Sequence, residues 1–203
     1  MSFSEIAALT IHDVKNKLAQ LAGRAERNGD AETVRSALEA AQTLTQLLTF
    51  YKSESGGLRL DIEAHSPADL VGELVRESRG ISGLAIEEDC AAAPALAFYD
   101  ETLVRMALFN ALHNALRFGR SRISVGVRGQ DGYCVFTVKD DGGGYPDSVL
   151  ADQGATAPVS RGGTGLGLRL AGRIAERHEN AGLRGAVALS NDAGAVFELK
   201  LPI

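Results

Sequence analysis

Between residues 110 and 168 the chain carries three short motifs in a fixed order: NALHNALRF at 110–118, DDGGGYP at 140–146 and GTGLGL at 163–168. The glycines of the last two commit the backbone to tight turns and allow another group to approach it closely. What flanks those turns sets what they join. Residues 133–138 alternate and are rich in β-formers, which predicts a strand that ends at Asp140. Residues 166–178 predict a helix opening directly out of the second glycine run. Around the first motif, Leu103, Ala107, Leu108, Ala111, Leu112 and Ala115 recur at helical spacing, predicting a helix that begins near Asp100. This part of the chain therefore reads as a helix, a strand with a turn, and a turn with a helix.

Each motif has a chemical reading and an ordinary one. Asn110 and Asn114 stand one helical turn apart on one face, and Arg117 follows a turn later. An amide oxygen is a neutral hard ligand suited to Mg²⁺, and an arginine meets phosphate charge. The same residues also fit the solvated edge of an amphipathic helix. Asp140 at a strand end can accept a hydrogen bond from an exocyclic amine such as that of adenine, with Gly142 and Gly144 keeping the backbone open. An ordinary Asp-Gly turn fits too. Gly163, Thr164, Gly165, Leu166 and Gly167 expose backbone N–H groups at a helix start, where the dipole favours phosphate. A glycine loop that merely starts a helix is the alternative. No Lys-Ser/Thr follows, so this is not a Walker A loop, and Leu168 stands where GxGxxG would need its third glycine.

In combination the motifs resemble the N, G1 and G2 boxes of the GHKL (Bergerat) ATP-binding fold. That superfamily comprises histidine kinases, gyrase-type ATPases, heat-shock chaperones and anti-sigma serine kinases. The ending AGAVFELKLP at 193–202 also resembles the final strand of histidine kinase catalytic domains. The resemblance runs from about Leu58 to the C-terminus. It implies an α/β sandwich with a mixed sheet, ATP bound with Mg²⁺ held through Asn114 and helped by Asn110, phosphate charge met by Arg117, and adenine read by Asp140. Gly142, Gly144, Gly163, Thr164, Gly165, Leu166 and Gly167 would shape the phosphate and lid backbone. The segment between Gly144 and Gly163 occupies the ATP-lid position. It is short and lacks the Phe-containing box of many kinases. Within it Arg161 reads equally as a phosphate contact or a solvated loop residue.

The N-terminal part has a different pattern. Ala7, Ile11, Val14, Leu18, Leu21 and Ala25 follow heptad spacing, and Ala37, Ala41, Leu44, Leu48 and Tyr51 form a second apolar stripe. Asn28-Gly29-Asp30 between them reads as a helix stop and an N-cap. Two helices with a short loop make a hairpin, and pairing two hairpins into a four-helix bundle is the economical way to cover their stripes. A homodimer is expected. At the edge of the first stripe sits His12, predicted to be exposed, with Asp13 beside it and Asn16 one turn on. Asp13 could hold the proton of one ring nitrogen and leave the other as nucleophile; an unremarkable surface histidine is the alternative. A hairpin with His-acidic-x-x-Asn ahead of a GHKL domain resembles the dimerisation and phosphotransfer domain of sensor histidine kinases. The resemblance implies that His12 is phosphorylated from ATP, that Asp13 assists proton transfer, and that Asn16 supports phosphatase activity. Lys17 stands where many relatives have proline, so a helix kink there is not expected.

Residues 53–57 (SESGG) read as a linker, dividing the chain into a dimerisation and phosphotransfer hairpin (1–54) and an ATP-binding domain (58–203). Leu58, Leu60 and Ile62 alternate as a strand. Ser66 and Pro67 open a helix to about Ser78. Residues 84–88 and 122–128 predict strands, the latter paired with 133–138, and 91–97 has no clear assignment. His113 is expected to face solvent; His65 and His178 have no sequence partners. A net charge of −5 without a dense basic run argues against a nucleic-acid partner. No apolar run reaches the roughly 20 residues of a membrane span, and no signal pattern opens the chain, so a cytoplasmic site is expected. Two cysteines, Cys90 and Cys134, provide neither a disulfide framework nor metal spacing.

The expected function is a two-component histidine kinase core, passing phosphoryl from His12 to an aspartate of a response-regulator receiver domain. Few helical turns precede His12, so its signal would come from a separate sensor protein or from a longer chain. Two rivals stand beside this. A phosphotransfer protein with a degenerate kinase-like domain would not use ATP, and an anti-sigma-type serine kinase would not need His12.

Overall fold

A computed structural model describes residues 3–54, 57–79, 83–154 and 165–203. The chain forms two compact units with the boundary between Leu58 and Arg59.

The first unit is a helical hairpin, α1 (Phe3–Arg27) and α2 (Ala31–Glu54). Its turn follows the sequence closely. Gly29 takes the left-handed conformation that ends a helix (φ 71°), and Asp30 N–H bonds back to the Ala25 carbonyl. The Asp30 carboxylate then caps α2 by accepting from Thr33 N–H at 3.0 Å and Thr33 Oγ1–H at 2.6 Å. These bonds, the hydroxyl's first, hold the Asp30 carboxyl below its ordinary value. Small residues, Ala22, Ala25 and Ala37, are buried where the helices meet. Val14, Leu21, Leu38 and Leu47 remain exposed, more apolar surface than a two-helix unit can cover by itself.

The second unit layers helices on a mixed sheet. Its elements are β1 (Glu63–His65), α3 (Pro67–Arg79), β2 (Ala85–Asp89), β3 (Ala97–Tyr99), α4 (Glu101–Phe118), β4 (Arg122–Gln130), β5 (Tyr133–Asp140), α5 (Asp147–Ala151), α6 (Leu166–Arg177), the short β6 (Glu179–Asn180) and β7 (Leu183–Arg184), β8 (Ala186–Asn191) and β9 (Ala195–Pro202). The main sheet runs β2-β4-β5-β9-β8. Among the described residues only β2 and β4 pair in parallel, and the chain between them contains α4, the crossover a parallel pair needs. The β4–β5 hairpin turns at Asp131-Gly132, both at positive φ (52° and 82°), the pairing favoured in tight hairpins.

Strand alternation decides which face is buried. Along β5, Cys134, Phe136, Val138 and Asp140 share a face and are all buried, while Thr137 and Lys139 point the other way and are only partly covered. On that outer face the Arg128 guanidinium donates to Thr137 Oγ1 at 2.9 Å and to Glu198 at 2.6 Å. The inner face packs against α3, α4 and α6, around Tyr99, Phe136, Phe197, Leu108, Leu112, Leu170 and Ile174. Burial raises the Cys134 thiol to about 12, so it behaves as a small apolar residue.

Two expectations change. Leu58, Leu60 and Ile62 do not form a strand; pairing starts only at Glu63, opposite Tyr99. The Asp61 N–H is taken by the Asp100 carboxylate at 3.0 Å instead of by a neighbouring strand, and Leu60 and Ile62 line a groove with Phe98 and Pro202. His178, for which sequence offered no partner, is a buried joint. Its Nε2 accepts from Asp100 N–H at 3.1 Å and its Nδ1–H donates to the Ile174 carbonyl at 2.8 Å. Among the described residues no helix is long and apolar enough to cross a membrane.

Candidate nucleotide site

Helix α4 is the spine on which the motifs meet. Asp100 caps its start, accepting from Leu103 N–H at 2.9 Å, and its apolar face (Leu103, Val104, Ala107, Leu108, Ala111, Leu112, Ala115) is buried. Its polar edge carries Asn110 and Asn114, both partly covered, and the exposed Arg117, whose guanidinium lies 5.5 Å over the Phe118 ring. His113 is exposed, as expected, and stacks on Phe109.

The second motif meets the C-terminal end of this helix. Asp140 is 6% exposed because strand parity turns it toward the helices. Its Oδ1 accepts from Gly142 N–H at 2.8 Å and from Ala195 N–H at 3.2 Å. The surrounding backbone leaves no room for side chains. A Cβ on Gly142 would lie 2.3 Å from the Phe118 carbonyl oxygen, and one on Gly194 would lie 1.9 Å from that of Asp140. A Cβ on Gly119 would approach the Asp140 Cβ at 3.5 Å. Gly144 has φ 78° and lies against the Asn191 amide.

The third motif meets the middle of α4. Gly165 caps α6 in the left-handed conformation (φ 65°), so that Leu166 and Gly167 present the first backbone N–H groups of the helix. A Cβ on Gly167 would lie 3.4 Å from Asn110 Cβ and Cγ. Asn110, Asp140, Gly142 and Gly167 are thus brought to one helix, with Gly165 and Leu166 directly ahead of Gly167 and Gly144 set against Asn191 instead. Arg161, Gly163 and Thr164 lie outside the described residues.

Sequence reasoning passed over three side chains that build this site. Asp141 accepts from Arg120 N–H at 2.7 Å, Ser121 N–H at 3.0 Å, Ser121 Oγ–H at 2.5 Å and Arg122 N–H at 3.2 Å. These bonds, the Ser121 hydroxyl's first, hold its carboxyl far below the ordinary carboxylate range. It ties the end of the strand that carries Asp140 to the turn leaving α4. An acidic residue directly ahead of a glycine turn was a visible hint. Asn191 and Gln153 had no such signal, since their partners are backbone groups distant in sequence. Tyr145 follows Gly144; burial first, and then the nearby Asp140 carboxylate, raise its phenol above the usual value.

In the hairpin unit His12 is 72% exposed. The Asn16 amide lies 3.3 Å from its Nδ1, and the Asp13 carboxylate lies 4.0 Å from the same nitrogen. Both neighbours therefore face Nδ1.

The architecture suits a nucleoside triphosphate. A buried carboxylate at a strand end can read an amine on a base, glycines keep nearby backbone clear, and a helix N-terminus beside an amide-bearing helix suits phosphate and a hard cation. Comparison with known proteins agrees. The profile of the histidine kinase-, DNA gyrase B- and HSP90-like ATPase family matches residues 99–203. The chain is 28% identical over 183 residues to sensor protein PhoQ of Escherichia coli K12, covering 83% of this chain and 37% of that protein. It is 37% identical over 112 residues to the signal transduction histidine-protein kinase AfsQ2 of Streptomyces coelicolor, covering 51% of this chain and 20% of that one. The chain thus spans little more than a third of PhoQ's length. Among solved structures, full-length ShkA in complex with AMPPNP superposes with a TM-score of 0.77 at 21% identity, over 99% of this chain and 46% of that one. The Acinetobacter baumannii histidine kinase AdeS gives 0.63 at 19% identity, over 93% and 94%.

Proposed function

We propose that this chain, which belongs to the histidine kinase-, DNA gyrase B- and HSP90-like ATPase family, is the core of a two-component sensor histidine kinase. It phosphorylates its own His12 from ATP and passes the phosphoryl group to an aspartate of a response-regulator receiver domain. The observation that carries this reading is the convergence on α4, with Asn110 against Gly167 and Asp140 against Gly119 and Gly142. The similarity to PhoQ, which extends over 83% of the chain, supports the step from family to kinase.

In this reading residues 58–203 bind ATP. Asp140 Oδ1 is engaged by backbone N–H groups, and Oδ2 is the acceptor for the exocyclic amine of adenine. The start of α6, with the preceding glycines and Thr164, receives phosphate oxygens, and Arg117 and Arg161 add positive charge. Mg²⁺, when bound, would draw charge from the phosphate oxygens, and Asn114 with Asn110 offers the amide oxygens suited to it. Catalysis by this domain is positioning and charge neutralisation.

Residues 1–54 supply the acceptor. Asn16 Nδ2 and the Asp13 carboxylate both stand on the Nδ1 side of His12, which leaves Nε2 facing away from them. Nε2 is the nucleophile in the tautomer that carries its proton on Nδ1, turned to Asp13 rather than accepting from Asn16. Nε2 forms a bond to the γ-phosphorus as the bond from that phosphorus to the bridging oxygen breaks and ADP leaves. Asp13 takes the ring proton from Nδ1. Asn16 serves the reverse direction, orienting water on the phosphorylated regulator. The exposed Val14, Leu21, Leu38 and Leu47 suit burial against a second hairpin in a dimeric four-helix bundle. The signal comes from a sensor protein or from a longer chain, with this core on the cytoplasmic side. Binding of a non-hydrolysable ATP analogue to the wild type, and its loss in Asp140→Ala, tests the nucleotide site. Transfer of label from His12 to a purified receiver domain tests the relay.

A further inference from the structure

Strand β8 is an edge of the main sheet, and an edge strand presents a row of N–H and C=O groups that need partners. Here two primary amides meet that edge, each by gripping one residue's backbone from both sides. The Asn191 side chain accepts from Tyr145 N–H at 2.7 Å and donates to the Tyr145 carbonyl at 2.9 Å. The Gln153 side chain accepts from Leu189 N–H at 2.6 Å and donates to the Leu189 carbonyl at 3.3 Å, and its Nε2 also donates to the Leu150 carbonyl at 3.0 Å. One clasp reaches from the sheet to residue 145, and the other reaches from residue 153 back to the sheet. The span between them, with α5 at its centre, is pinned to β8 at both ends.

Both pins bear on the nucleotide site. Tyr145 directly follows Gly144, the last glycine of the turn below Asp140, and a Cβ on Gly144 would stand 2.7 Å from Asn191 Oδ1. The hairpin that turns after Asn191 also carries Ala195, whose N–H donates to Asp140, and Asp192, which pairs with Lys139 at 2.5 Å. Next to Gln153, Gly154 is buried at φ 79°, with Leu168 of α6 filling the space a Cβ would need at 3.1 Å. The Gln153 clasp thus fixes the backbone that abuts the first turn of α6.

We infer that Asn191 and Gln153 are positioning residues for the nucleotide, holding the glycine turn under Asp140 and the start of α6 in register through the edge of β8. The inference rests on the nucleotide reading above. Each clasp comprises neutral hydrogen bonds from one primary amide to backbone groups. Losing one clasp should weaken nucleotide binding about ten-fold, since about 1.4 kcal/mol is a factor of ten.

The test measures affinity for a non-hydrolysable ATP analogue on the full chain in Asn191→Ala, Gln153→Ala and Gln153→Glu, with Asp140→Ala as reference. The expected result is a roughly ten-fold loss in each alanine variant, with far-UV circular dichroism unchanged. Gln153→Glu adds a readout that a merely structural residue would not move. An ionised glutamate accepts from Leu189 N–H but cannot donate, whereas a protonated one can do both. Its affinity relative to wild type should therefore recover as the pH is lowered. Should an alanine variant fail to fold, hydrogen exchange on the wild type replaces it: the Tyr145 and Leu189 amides should be protected, and more so with the analogue bound. Affinities within two-fold of wild type in both alanine variants, or Tyr145 and Leu189 amides unaffected by the analogue, would overturn the inference while Asp140→Ala still abolished binding. A wild type that binds no analogue would overturn the nucleotide reading, and this inference with it.

Discussion

Gly167 lies against Asn110, so that a Cβ on the glycine would stand 3.4 Å from the Cβ of the asparagine. That contact joins two motifs through residues 57 positions apart in sequence (167 − 110). The spacing is ordinary van der Waals contact, which separates the fold's tolerance at this position from the site's.

Gly167→Ala should therefore fold normally. Its stability should be unchanged or raised by up to about 1 kcal/mol, the helix-propensity difference between glycine and alanine. Nucleotide affinity should fall, because the added methyl crowds the first exposed N–H groups of α6 and the Asn110 amide. Thermal melts alongside analogue binding check this.

Gly142→Ala and Gly194→Ala should behave differently. Their methyl groups would stand 2.3 Å and 1.9 Å from backbone oxygens, which cannot yield as a flexible side chain would. Each should lose roughly 1–3 kcal/mol, as overpacked sites do, and binding should fall together with stability. Urea denaturation reads the loss directly.

His178 gives a pH dependence. Burial lowers its pKa below the ordinary 6.5, although the Ile174 carbonyl and Asp100 oppose the shift. Above about pH 6.5 the ring is neutral in both folded and unfolded chains and contributes no slope. As pH falls below that value the unfolded chain binds a proton that the folded chain does not, so stability declines until the lower folded pKa is reached. The slope cannot exceed about 1.4 kcal/mol per pH unit. His178→Gln should lower stability near neutrality and remove that component of the slope. Chemical denaturation between pH 5 and 8, conditions set by roughly where histidine titrates, tests both.

Much of this was legible in the sequence because it rests on local chemistry. Asp140 at a strand end, the turn at Asn28-Gly29-Asp30 and the start of α4 near Asp100 are each set by neighbours within a few residues. Strand parity even dictates that Asp140 faces inward with Phe136 and Val138. What sequence could not give is long-range pairing. Alternation at Leu58, Leu60 and Ile62 suggested a strand, but Asp100, distant in sequence, takes the Asp61 N–H. His178 found its partner in the same residue. Asn191 and Gln153 resemble ordinary loop and edge residues until the fold brings backbone groups to them.

The two neighbours of His12 should separate by function. Asp13→Ala should slow phosphorylation of His12 by about 10²–10⁴-fold, the usual contribution of a positioned base. Asn16→Ala should leave phosphorylation nearly intact and slow the release of phosphate from the phosphorylated receiver domain. Time courses of labelled protein, with and without the receiver, distinguish them.

Incubation with γ-labelled ATP and Mg²⁺ reads out phosphoryl transfer from ATP to His12. Wild type, His12→Ala and Asp140→Ala are compared, and the label is challenged with acid. Acid-labile label is expected on the wild type and none on either variant. Acid-stable label that survives His12→Ala would contradict transfer to His12 in favour of a serine kinase, and absence of both label and ATP binding in the wild type would contradict it in favour of a module that does not use ATP.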